Sequence, residues 1–409
     1  MSCKPISDRR RLRAAAVVGL SVLTVGSLSA CNAELDGDQA LGNPFSDESS
    51  ATPQVPQVQV QANVRPRKPV HVDHLVKVTA TQGTLDKVVV RSANGKTRVP
   101  GTLAQDGTSW QASGLLEPGM TYRIQATAQD EDGLSKQFAR TFKTDDLSLD
   151  EQTYPSLVPA DGDTVGVAMP VILRFDVPVE HKAAFERHLS VRTTPAQPGS
   201  WHWMSDTEVH WRPRHYWKPG TKVDVTAAIN SVDAGNGVYG QEDRTSSFTI
   251  GDALRMKINL ASHQMKVTRN GELLRTIPIT GGKPGFTTRS GTKVIIEKFT
   301  SKRMDAATTG INPDNPEYYN LSDVKFAQRV TYSGEFLHAA PWSVGSQGYA
   351  NVSHGCVGMS TSNAEWLFGQ TKVGDPVEVT GSDRPMDLTN GYGDWNATWQ
   401  DYRQGSALH

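Results

Sequence analysis

Cysteine is nearly absent from this chain: three in 409 residues, at positions 3, 31 and 356. So few thiols exclude a disulfide framework and any cysteine-rich metal module. Charge of one sign is also lacking, since 42 Lys and Arg balance 43 Asp and Glu to a net -1. That removes the electrostatic case for binding nucleic acid. Long apolar runs are missing too, apart from a short one between Ala14 and Ser27. Glycine and proline are plentiful, at 36 and 23, as in turn-rich β structure. The length calls for more than one core.

The N-terminus reads as processing signal over residues 1–30. Lys4, Arg9, Arg10, Arg11 and Arg13 precede the apolar run, and Leu28-Ser29-Ala30-Cys31 follows it. The run is marginal for a membrane span, and small residues flank the break. A cysteine after small residues resembles a bacterial lipobox, which implies a lipidated Cys31 and an exported protein held on the outer face of the cell membrane, facing the wall. The alternatives are an ordinary signal peptide cut near Ala30 and an uncleaved anchor. On the lipidated reading Cys356 is the single free thiol of the mature chain, and a lone exported thiol needs a reason to be kept.

Residues 31–68 are rich in Pro, Gln, Ser and Asp and read as a solvated tether. Short alternating segments then recur over 69–146 and again over 147–250, separated by turns such as Asn94-Gly95 and Asp132-Gly133. Trp110 and Pro118-Gly119 return as Trp211 and Pro219-Gly220, each 101 residues on. Two tandem, disulfide-free, immunoglobulin-like β-sandwiches are expected. Asp233, Asn236 and Gly237 sit in a loop that is a weak calcium candidate, with a plain solvated turn as the competing reading. No other metal and no cofactor is expected.

A third domain is expected over 251–380. Alternation at Met256, Ile258 and Leu260 leads to the hairpin signal Asn270-Gly271, and further strands are expected over 293–299 and 328–338. Residues 301–323 have little periodicity and read as a lid or binding loop. A short helix is expected over 362–371. The segment 381–409 carries Trp395, Trp399 and Tyr402, apolar enough to pack back onto the body.

The chemistry concentrates between His338 and Ser360. A thiol is nucleophilic as thiolate, and an imidazole is the usual means of making one. Cys356 has His354 two residues before it and His338 eighteen before, with Gly355 and Gly358 as neighbours that let backbone N–H groups approach an oxyanion. Ser353-His354-Gly355-Cys356, the upstream His338 and Ala340-Pro341-Trp342-Ser343-Val344-Gly345 together resemble the L,D-transpeptidase (YkuD-type) catalytic signature. With the tandem sandwiches and the tail at Gly393 to Asn396, the whole resembles the mycobacterial and actinobacterial members.

The resemblance implies a mainly β catalytic domain that forms 3→3 cross-links between peptidoglycan stem peptides and is inhibited by carbapenems. It implies Cys356 as nucleophile, His338 as general base and acid, and His354 with the backbone at Gly355 and Cys356 as orienting and oxyanion groups. Ser333, Gly334 and Ser353 would bind substrate, and Tyr319 (or Tyr318) and Met304 would belong to the lid. Trp342 is open between substrate contact and core. Two positions depart from the family: Gly358 where Asn is usual, which leaves a substrate or loop contact in question, and Ala339 where Ser is common. Water as acceptor would give an L,D-carboxypeptidase and a protein amine an anchoring enzyme; a decayed site would leave a wall-binding protein.

Overall fold

The computed structural model describes residues 54–408; the signal segment and Cys31 lie outside them. Strands make up 44% and helices 10% of the structure, which is the mainly β class expected. The first sandwich pairs one sheet made of Gln59–Ala62, Lys77–Thr81, Ser109–Ala112 and Gly101–Leu103 with a second built on Thr84–Ser92, Thr121–Gln129 and Ser135–Lys143. The second sandwich repeats that order, with Pro155–Val158, Val171–Phe175, Glu208–Pro213 and Gly199–Ser205 facing Leu189–Thr194, Lys222–Ala227 and Arg244–Ile250.

The repeat is visible at single-residue level. Trp110 and Trp211 occupy matching central strands, and each ring lies over a glycine of the next strand. A Cβ on Gly101 would come within 2.1 Å of the Trp110 ring, and one on Gly199 within 2.0 Å of the Trp211 ring. Large and small residues are matched across the strand pair, so the indole fills space that any other residue would occupy.

One boundary moves. The first sandwich begins inside the segment read as tether, because Gln59–Ala62 is a strand and Val58 and Val64 are buried in the core. Gln57 to Gln61 alternates glutamine outward with valine inward, a period-two pattern masked by the local polarity.

The third domain holds two sheets. The five-stranded sheet runs Glu272–Pro278, Gln264–Arg269, Leu254–Asn259, Pro376–Thr380 and Gly291–Val294. Its first two strands turn at Asn270-Gly271, where both residues have positive φ as a tight hairpin turn requires. The four-stranded sheet runs Glu297–Asp305, Asn320–Arg329, Phe336–Ala339 and Val357–Met359. Helix Thr361–Gln370, capped by Ser360, buries Ala364 and Leu367 against the apolar core between these elements.

Three expectations are corrected here. The strand read over 293–299 breaks at Ile295-Ile296 and crosses from one sheet to the other. The strand read over 328–338 is two strands joined by a turn, with Thr331 Oγ1 accepting the Glu335 N–H at 2.8 Å. Part of 301–323 is regular: 301–305 and 320–323 are the ends of the two strands of a long hairpin, and the loop between them is 306–319. Local polarity hides these strands because one of their faces is solvent-exposed.

The tail packs as its aromatics suggest. Trp395, Trp399 and Tyr402 surround the buried guanidinium of Arg212 at 4.7, 5.4 and 4.2 Å. Between sandwich and tail, His210 Nδ1 meets Asp394 at 2.9 Å and its Nε2 meets Glu208 at 2.6 Å. The Asp233 loop is a β-turn whose groups are engaged: Asp233 pairs with His181 at 3.0 Å, and Asn236 donates to Glu180 at 2.6 Å. Gly237 supplies a positive φ of 76°, so the loop is organised as a turn. No group of three or more His, Cys, Asp or Glu able to hold a metal occurs among the described residues.

Candidate active site

Two adjacent parallel strands bring the thiol and the imidazole together. Phe336–Ala339 pairs with Val357–Met359 so that His338 stands opposite Gly358, two residues beyond Cys356. The seventeen residues between them, 339–355, include a crossover through the short 3-10 helix Pro341–Ser346, as parallel pairing requires. Cys356 and His338 are both buried and line one cavity of about 330 Å³.

His338 is fixed by its own strand. Its Nδ1 lies 2.8 Å from the Ala339 carbonyl, an acceptor, so Nδ1 carries the hydrogen and Nε2 keeps the lone pair a base needs. A backbone carbonyl does this work, and the side chain at 339 is not part of it. Burial lowers the His338 pKa, although the Ala339 carbonyl opposes the shift. Burial likewise pushes the Cys356 thiol up to about 12, with the Phe336 N–H acting in the other direction. Both shifts favour the neutral forms. The thiol donates to the Gly334 carbonyl at 3.6 Å.

The turn before Cys356 is held from several sides. Ser353 Oγ donates to the Cys356 carbonyl at 2.6 Å and accepts from Gly355 N at 3.1 Å. Gly355 has φ of 118°, which a side chain would strain. Its carbonyl accepts from buried Thr288 Oγ1 at 2.8 Å. An oxyanion using the Gly355 N–H would have to displace the Ser353 hydroxyl from it.

The long hairpin covers the site. Met304, Tyr319 and Leu321 face the cavity, while the Tyr318 hydroxyl accepts from Asn320 at the exposed side. The choice between the tyrosines falls on Tyr319, whose hydroxyl burial and the nearby thiol raise to about 12. Trp342 is 58% exposed and its ring lies parallel to that of His338 at 5.9 Å, so it is a rim residue and not core.

Of the other expected site residues, Ser353 and His354 line the same cavity as Cys356 and His338. His354 does not touch the thiol or His338 through a hydrogen bond; its Nε2 meets Glu317 Oε2 at 2.7 Å, and Lys283 meets the same oxygen at 2.5 Å. It lies between the rings of Phe286 and Tyr319 and ties the hairpin loop to the nucleophile's turn. Ser333 and Gly334 line an adjoining hollow of about 230 Å³ that shares Met304 and Tyr319 with the main cavity. Gly358 lines neither. Its N–H and carbonyl both bond to Thr280 at 2.9 Å, and a Cβ there would lie 2.8 Å from the Ala340 Cβ. A substrate-binding role for Gly358 is thus not supported: its missing side chain would point into packed protein.

Sequence reasoning missed Glu317, Thr288 and Asn390. Asn390, from the tail, accepts from Ser333 N and donates to Ser333 Oγ, both at 2.9 Å. None sits in a local pattern; each acts by reaching a residue distant in the chain.

A buried thiol, an imidazole with a free Nε2 and a covering hairpin are the parts of a cysteine acyltransferase. Residues 254–379 match the model of the L,D-transpeptidase catalytic domain, and residues 67–233 that of a bacterial Ig domain. L,D-transpeptidase 2 of Mycobacterium tuberculosis is 38% identical over 339 residues, 83% of this chain and 82% of that one. L,D-transpeptidase 5 of the same organism is 33% identical over 412 residues, 99% and 86% of the two chains. A solved complex of L,D-transpeptidase 3 from Mycobacterium tuberculosis with a faropenem-derived adduct is 31% identical over 55% of this chain and 97% of that one, with a TM-score of 0.47. The chain belongs to the L,D-transpeptidase family and is an enzyme of acyl transfer.

Proposed function

We propose that this enzyme forms 3→3 cross-links in peptidoglycan through a thioester on Cys356. The reading is carried by one observation: Cys356 and His338 share a covered cavity, on paired strands, with Nδ1 of His338 held by a carbonyl. His338 Nε2 takes the thiol proton as Sγ attacks the L,D-amide that follows meso-diaminopimelate in a tetrapeptide stem. The amide C–N bond breaks, and the D-Ala amine leaves with that proton. The side-chain amine of a second stem's diaminopimelate then attacks the thioester, gives a proton to the imidazole and restores the thiol. No cofactor enters this sequence of steps.

A carbapenem acylates the same thiol in this reading, and Cys31, once lipidated, holds the enzyme at the outer membrane face. Intact-mass spectrometry after carbapenem treatment tests the nucleophile. A single adduct on wild type, absent from Cys356→Ala, is expected; an adduct persisting in the variant overturns the assignment. Incubation with a tetrapeptide stem, with and without an acceptor stem, separates cross-linking from hydrolysis. A lipid-sized mass shift on the mature N-terminus tests the anchor.

A further inference from the structure

A lysine and a glutamate are buried beside the nucleophile, and the chemistry above uses neither. Lys293, in strand Gly291–Val294, is 1% exposed and ion-pairs with Glu335, itself 5% exposed. Arg289 donates to the same carboxylate from Nη1 at 2.9 Å and from its backbone N–H at 3.2 Å.

Glu335 occupies a particular place. The residue before it, Gly334, accepts the thiol hydrogen bond, and the backbone N–H of the residue after it, Phe336, favours the ionised sulfur. Its side chain runs past the nucleophile's turn, since a Cβ on Gly355 would lie 3.7 Å from the Glu335 Cγ. Holding that carboxylate in place therefore holds the backbone on both sides of the sulfur. Yet an unneutralised carboxylate here opposes thiolate formation, because like charges in a dry interior repel strongly.

We propose that Lys293 is a positioning residue for the nucleophile: it neutralises Glu335, so that the carboxylate anchors the turn 331–336 around Cys356 without keeping the thiol protonated. The charged groups around the thiol bear this out in sign, Glu335 opposing and Lys293 favouring its ionisation. The other titratable groups facing it are His338 on the neighbouring strand and Tyr319 and His354 along the cavity. None of these pairs with Glu335, whereas Lys293, whose pKa burial lowers, has that carboxylate opposing the shift. Arg289 also pairs with Glu335 and approaches Asp387 at 3.9 Å, while the ion pair of Lys293 is with Glu335.

The inference rests on Cys356 being the nucleophile, and its test reads the thiol directly, independently of any cross-linking. The rate of iodoacetamide alkylation at Cys356 is measured against pH. In Lys293→Met the profile moves to higher pH, and alkylation near neutral pH slows on the order of tenfold, as a shift of one pKa unit gives. In Lys293→Met/Glu335→Gln it returns toward wild type, because the amide keeps an acceptor for Arg289 and carries no charge. A purely structural pair would lose reactivity in proportion to folded fraction and would show no return. Superposition of the Lys293→Met profile on wild type, or no return in the double variant, overturns the proposal. Should Lys293→Met not fold, Glu335→Gln alone decides: an upward displacement of its profile is incompatible with the role assigned. A wild type that alkylates as described but forms no carbapenem adduct would instead sink the transpeptidase reading and leave this one standing.

Discussion

At the scale of the residue, Gly358 carries a definite expectation. Asn is usual in the family at this position, and a simple reading makes the glycine a lost substrate contact. Here the N–H and carbonyl of Gly358 both bond to Thr280, and Ala340 fills the space a side chain would take. Gly358→Asn should destabilise the fold by about 1–3 kcal/mol, the usual range for forcing volume into a packed site. Thermal denaturation measures this; a variant as stable as wild type with faster carbapenem acylation would show that the neighbourhood yields and that the contact was missing after all. The same scale explains why Ala339 is harmless: what His338 needs from that position is a carbonyl, which every residue has.

At the scale of the element, the hairpin over the site is held by few attachments. Glu317 in its loop meets both His354 and Lys283, and its pKa is lowered by these two partners, Lys283 first. Removing the carboxylate frees the loop from the nucleophile's turn without emptying any core. Glu317→Ala should leave global stability nearly unchanged while hydrogen exchange accelerates across 306–319 and carbapenem acylation slows. Unchanged exchange in that loop would mean that Met304 and Tyr319 alone keep it closed.

At the scale of the whole molecule, a charged network joins the second sandwich to the tail. Burial alone would lower the pKa of His210, but Asp394 and Glu208 together hold it up to about 9. Because the folded pKa exceeds the unfolded value of 6.5, binding a proton favours the fold. That contribution is complete below about pH 6.5 and is lost as pH rises through about 9. Denaturant unfolding followed between these limits should therefore show falling stability, and the slope should shrink in His210→Gln. Asp394→Asn leaves the imidazolium with one charged partner instead of two and should destabilise by about 3–5 kcal/mol, as removing one member of a buried ion pair does. Tyr402, whose hydroxyl donates to Asp394 at 2.8 Å, makes the tail part of the same unit.

The sequence by itself marked the candidate thiol and base, and it determined the two-fold repeat of Trp110 and Trp211, the hairpin at Asn270-Gly271 and the packing of the aromatic tail. These features are local or periodic: a turn needs positive φ, a repeat shows as an offset, and a nucleophile carries its glycines beside it. It did not determine the first strand at Gln59–Ala62, which polar glutamines disguised, nor the long hairpin of the lid, which exposes one face and so loses its apolar alternation. Only the tertiary structure decided that His354 serves the lid through Glu317, that Gly358 is a packing position, and that Lys293 and Glu335 lie buried together beside Cys356. A charged residue in a strand reads as solvent-facing until its partner is known. That partner lies 42 residues away for Lys293 and 37 for His354, and chain folding alone brings them within reach.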